Sequence, residues 1–81
     1  MMNDSKTNKP KQFRDGNVVV SIWQNSTDRG VRYSVSVTRI FKRDESSEWE
    51  RSSSLNGDDC LRAAELLREA SRYIRDQRQA D

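Results

Sequence analysis

Two stretches of this chain alternate apolar and polar residues with the period of a half-buried strand, and a third repeats apolar residues with the period of a helix. In YSVSVTRIFKR, residues 33–43, the odd positions carry Tyr33, Val35, Val37 and Phe41, with Arg39 among them, while the even positions carry Ser34, Ser36, Thr38, Ile40 and Lys42. That pattern predicts a strand over about 31–42 with one oily face and one hydroxyl-and-basic face. Upstream, NVVVSIWQ at 17–24 is β-branched and aromatic, with Asp15-Gly16 before it and NSTDRG after it. It predicts a second strand with turn chemistry at both ends and a hairpin loop over 25–30. After the turn RDESS, the stretch EWERSSSL predicts a short third strand over 48–54.

Register follows from keeping apolar residues on one face, because a one-residue slip would turn every side chain over. Setting Ile22 against Tyr33, Val20 against Val35 and Val18 against Val37 puts all six on the core side. Trp23 then lies opposite Arg32 on the outer side, near enough for a cation–π contact. The third strand has two registers. One sets Trp49 beside Phe41 on the core face but opposes Arg39 to Arg51, a like-charge pair. The other puts Trp49 against Lys42 and Arg51 against Ile40 on the outer face, with Glu50 facing Phe41, and avoids that pair.

LNGDDCLRAAELLREASRYIRDQRQ predicts a long helix. Asn56 or Asp58 can cap it, Asp58 and Asp59 complement the positive end of its dipole, and Arg72, Arg75 and Arg78 complement the other end. At 3.6 residues per turn, Cys60, Ala63, Ala64, Leu66, Leu67, Ala70, Ser71, Tyr73 and Ile74 fall within about half the circumference. Cys60, at the centre of that stripe, reads as a small core residue. The stripe is wider than one three-stranded sheet needs, and Leu66 with Tyr73 at its edge points to a second partner.

The fold class is therefore α+β: a three-stranded antiparallel β-meander followed by one long C-terminal helix, β-β-β-α. Residues 1–14 lack periodicity and carry Lys6, Lys9, Lys11 and Arg14, which reads as a disordered basic tail ahead of a single domain over 15–79. A homodimer, with Leu66 and Tyr73 at its interface, would enlarge a small core and cover the surplus apolar edge.

Composition narrows the chemistry. The chain has 81 residues, 32% apolar and 35% charged, with one cysteine and no histidine. An internal disulfide, a Cys/His zinc site and a histidine general base are thereby excluded. The three glycines, at 16, 30 and 57, make no phosphate loop. Asp58 and Asp59 read as helix-dipole complements rather than a metal pair, so no metal, no cofactor and no catalytic residue are expected. The lone thiol and the lack of a long apolar run fit a soluble, cytoplasmic protein.

Net charge is only +2, so the distribution of the 15 cations decides more than their excess. Eleven are Arg, the residue suited to phosphate and to stacking on base planes. Cations tracking a backbone beside aromatic rings are the means of holding single-stranded nucleic acid. Trp23, Arg32, Arg39, Lys42, Trp49 and Arg51 are the candidate set. The alternatives are a protein-interaction module whose indoles are interface anchors and, third, an enzyme using Cys60.

The segments DGNVVVSIWQN, RYSVSVTRIFK, EWERSSSLNGDDCLRAAELLREA and YI resemble a family of small, uncharacterised prokaryotic proteins, over about residues 15–75. That resemblance implies the strand-and-helix order but no activity. The order is also similar to that of the PC4 and Whirly-type single-stranded DNA binders, which are β-sheets followed by a helix and which dimerise or oligomerise. Those folds use four strands where the pattern here predicts three.

Overall fold

A computed structural model describes residues 9–80. It is an antiparallel sheet with one C-terminal helix laid on it: β1 (Lys11–Asp15), β2 (Val18–Thr27), β3 (Gly30–Phe41), β4 (Glu50–Ser52), a 3₁₀ turn (Gly57–Asp59) and α1 (Cys60–Ala80). The sheet order is β1-β2-β3-β4, a plain meander.

The sequence reading and the structure agree on the sheet-plus-helix architecture and differ in how the sheet is built. Residues 11–14, read as part of a basic tail, belong to a fourth strand that pairs Phe13 with Val20 and Asp15 with Val18. Residues 1–8 of that expected tail lie outside the described residues. KQFRD has a single apolar side chain, so no periodicity announces a strand. It becomes one because β2 offers a free edge and Gly16, at φ 62°, supplies the positive dihedral of a two-residue turn. The Ile40 N–H donates to the Asn17 carbonyl at 2.8 Å, tying that turn to β3.

The β2–β3 hairpin is longer than the sequence suggests. Asn25, Ser26 and Thr27 continue the strand instead of looping, and Thr27 pairs with Gly30 across the turn residues Asp28 and Arg29. Thr27 Oγ1 closes the turn, donating to the Gly30 carbonyl at 2.7 Å and accepting from the Arg29 N–H at 3.2 Å. Gly30, at φ 113°, takes the dihedral that a side chain would resist. Register consequently shifts by two from the expected one: Val20 pairs with Val37, Ile22 with Val35 and Trp23 with Ser34. A shift of two keeps each side chain on its expected face and changes only its neighbour.

β4 is three residues long rather than seven, and it adopts the outer-face register, Ile40 with Arg51 and Phe41 with Glu50. It covers only the Arg39–Phe41 stretch of β3, leaving positions 30–38 of that strand as an open edge.

α1 lies across β2 and β1 and barely touches β3. Its buried line is Asp59, Ala63, Leu66 and Ala70, packed on Val18, Val20 and Ile22. Leu66 is 4% exposed, and Tyr73 packs edge-on against Phe13 at 6.2 Å. The edge of the stripe expected to form a dimer interface is therefore consumed inside the chain by β1. Cys60, expected in the core, is exposed. It sits about 100° round the helix from Asp59, so a buried line through Asp59 turns it away from the sheet. Asp59 anchors the helix start: its carboxylate accepts from the Asn56 N–H at 3.2 Å and faces Arg62 at 3.5 Å.

Phe13→Ala is expected to cost about 2 kcal/mol in urea denaturation, less than a fully buried Phe because its ring is only half-buried. A chain lacking residues 1–14 should lose cooperative unfolding altogether. An unchanged midpoint for Phe13→Ala would show that β1 is not part of the core.

Candidate nucleic-acid interface

Strand alternation divides the sheet into a helix-covered face and an outer face. Reading across the register, the outer face carries Gln12 and Arg14 of β1 and Val19, Ser21, Trp23 and Asn25 of β2. It continues with Arg32, Ser34, Ser36, Thr38 and Ile40 of β3 and Arg51 of β4. Lys42 extends the β3 row, and its ammonium lies 5.1 Å from the centre of the Trp49 ring. Four cations, Arg14, Arg32, Lys42 and Arg51, thus share this face, and no Asp or Glu occupies a strand position on it among the described residues. The strand acids Asp15 and Glu50 both fall on the helix-covered side.

None of these four cations is neutralised. The ion pairs among the described residues join Arg43 to Glu50 at 2.9 Å, Arg62 to Asp59 and Arg68 to Glu65, all away from the outer face. Asp44, in the turn before Trp49, is engaged by its own loop: the Ser46 and Ser47 hydroxyls and the Ser46 N–H donate to its Oδ1 at 2.8, 2.9 and 2.9 Å. Those bonds, the Ser46 hydroxyl first, hold its carboxyl below the ordinary value. The turn's stabilisation is complete above the ordinary carboxylate value and is lost as pH falls through the lowered one.

Both indoles are accessible, Trp23 at 40% and Trp49 at 57%. Together with Arg32, Lys42 and Arg51 they lie on one face, but in two groups. Trp23 and Arg32 stand near the hairpin tip, while Lys42, Trp49 and Arg51 stand at the other end, about 26 Å away along β3. Trp23 does not oppose Arg32 as expected; Ser34 stands opposite it, and Arg32 opposes Asn25. The two-residue shift of the hairpin is the cause, and it makes Trp23 and Arg32 diagonal neighbours.

Arg39 parts from the set. It lies on the helix-covered side opposite Ser52, its Nε donates to the Ser54 carbonyl at 3.1 Å, and its guanidinium sits 4.9 Å over the Phe41 ring. Those contacts make it a tie between β3 and the segment leading to the helix. The residues missed in the sequence are Gln12 and Arg14, which reach the face through β1. The only available signal was Asp15-Gly16 read as a hairpin turn, which implies a partner strand on both sides of it.

Among the described residues, no three Cys, Asp or Glu side chains gather as a metal cluster, and no helix is long and apolar enough to cross a membrane. No family model, curated protein or solved structure matches this chain.

Both indoles should be quenched by acrylamide in the folded protein, and Trp23→Phe and Trp49→Phe should each leave one quenchable emitter. A shielded, blue-shifted emission from either variant would remove the remaining ring from the accessible face.

Proposed function

We propose that this chain is a non-enzymatic, single-stranded nucleic-acid-binding protein that works as a homodimer and binds through the outer face of its sheet. The observation that carries the reading is the sorting of charge: four unpaired cations and two accessible indoles on a face whose strand positions hold no acid, in a chain of net charge only +2. Cations in a row attract a phosphate backbone, and exposed rings stack on bases whatever their sequence. Ser21, Ser34, Ser36 and Thr38 add hydroxyl donors between the two indole groups. A strand count of four followed by a helix also agrees with the element order of the PC4 and Whirly-type binders, an analogy of fold that adds no site of its own.

Fluorescence anisotropy with a labelled single-stranded oligonucleotide tests the reading. Four phosphate contacts give a salt exponent near 2.8, hence roughly a 50-fold loss of affinity between about 50 and 200 mM salt. Trp23→Ala and Trp49→Ala should each weaken binding by about 1 to 3 kcal/mol. No binding at about 50 mM salt sinks the proposal.

The surface that suits self-association is the flank of α1 facing β3. Val35 and Leu67, 41% and 39% exposed, border a 590 Å³ groove that also takes in Ser71, Ile74, Arg75 and Arg78. Cys60 and Ala64, both exposed, extend the same flank toward the helix start. An antiparallel second copy would bring Arg75 and Arg78 beside the Asp58 end of its partner, matching charges and opposing the helix dipoles. The same groove favours the second reading, a protein-interaction module, if its occupant is another chain. Leu67→Glu separates these outcomes by light scattering. The wild type should be a dimer and the variant a folded monomer; a wild type monomeric at high concentration would give the groove to a different partner.

A further inference from the structure

On the outer face, near the β1–β2 turn, a 170 Å³ pocket is lined by Gln12, Arg14, Val19, Thr38, Ile40 and Arg51. We propose that this pocket is a phosphate subsite, with the guanidinium groups of Arg14 and Arg51 holding one phosphate of a single strand between them. The assignment of that phosphate to a nucleic-acid backbone rests on the function proposed above; the subsite itself rests on the following geometry.

Arg14 and Arg51 belong to β1 and β4, the two outermost strands, yet they border the same pocket above β2 and β3. Both side chains therefore lean inward. Their stems explain an otherwise odd fact: Val19 is only 9% exposed although no helix covers this side of the sheet. Long cationic side chains shield apolar surface with their methylenes and keep the charged head in water. The result is a pocket bordered by two cationic residues, with the apolar side chains of Val19 and Ile40 in its lining.

No carboxylate lies within ion-pair distance of Arg14 or Arg51 among the described residues. Arg14 is also oriented, because its Nε donates to the Gly16 carbonyl at 2.9 Å, leaving its terminal nitrogens as a planar fork. The Gln12 amide is likewise held, donating from Nε2 to Ser21 Oγ at 2.9 Å. Two arginines bordering one pocket, one of them pinned, with amide and hydroxyl neighbours, suit the tetrahedral oxygens of a phosphate. They offer no acceptor set for a cation.

Position adds a consequence. Along β3, Thr38 lies four residues from Ser34, which faces Trp23, and four from Lys42, which supports Trp49. Thr38 thus lies between the β3 positions beside the two indoles. A phosphate anchored there leaves bases on either side free to reach a ring.

The experiment uses the full chain with inorganic phosphate and, separately, a short thymidine oligomer. Phosphate added at constant ionic strength should shift the amide signals of Val19, Thr38 and Ile40 saturably, while chloride does not. Arg14→Gln and Arg51→Gln keep most of each stem and remove the charge. Each should abolish the phosphate shifts, weaken oligomer binding roughly tenfold and lower the salt exponent by about 0.7. Arg43→Gln, at a residue already paired with Glu50, is the control that should change none of these. Oligomer binding unaffected by both variants overturns the subsite and leaves the nucleic-acid reading standing. Phosphate shifts without any oligomer binding support the subsite and overturn that reading, pointing to a small phosphorylated ligand. Shifts produced equally by chloride, or spread evenly over all arginines, overturn the subsite. Because the phosphate titration is run on the wild type, the subsite stays testable even if a variant fails to fold.

Discussion

β2 is the strand on which the other elements depend. It is the partner of both β1 and β3, and its Val18, Val20 and Ile22 are the side chains against which Ala63, Leu66 and Ala70 of the helix close. The largest fully buried side chains among the described residues, Val18 and Val20, both belong to it. With so little apolar material, every other contact is recruited to lengthen this one seam. Phe13 closes one side of it with Tyr73, and Tyr33 and Val37 close the other from β3. A core this thin has little room for charge, and the one buried acid among the described residues, Asp59, is spent on fixing the start of the helix that covers it.

That same strand creates the outer face. Strand alternation sends Val19, Ser21 and Trp23 to the side opposite the core residues, so stabilising the seam and displaying the interface are two consequences of one backbone. The helix takes one side of the sheet, and no other element among the described residues takes the other. What shields the outer side instead is a set of arginine stems and hydroxyls, whose heads remain in solvent. A sheet side covered by cationic side chains and empty of acids is stable in water and electrostatically suited to an anionic polymer. The helix-covered side absorbs the residues that would spoil this: Asp15, Glu50 and the tied-down Arg39 are all found there.

The incomplete cover has a second consequence, at the β3 side of the helix. α1 sits over β1 and β2, so Val35 and the Leu67 flank are left open next to the unpaired stretch of β3. Two unsatisfied features on one side of a small domain are what association with a second copy would relieve, and association there leaves the outer face free. The proposed binding and self-association would thus use different surfaces of a two-layer fold, which permits both at once.

By itself, the sequence determined which side of each strand is oily and where the helix lies, because alternation and the 3.6-residue repeat are local properties of the chain. It left two registers open for β4, of which the Arg39–Arg51 repulsion disfavoured one, and the pairing of Ile40 with Arg51 selected the other. It did not determine the length of the β2–β3 turn, since Asn25, Ser26 and Thr27 have loop chemistry and become strand only through pairing. Nor did it reveal β1, because one phenylalanine in KQFRD makes no pattern; the strand exists through a free edge on β2 and a ring waiting at Tyr73. Those two tertiary facts decided the site. The turn placed Ser34, not Arg32, opposite Trp23, and β1 brought Arg14 beside Val19 while Phe13 engaged the half-buried Tyr73. Cys60 illustrates the same limit, for the helix stripe showed what could be buried, and only the docking angle chose Asp59 in its place.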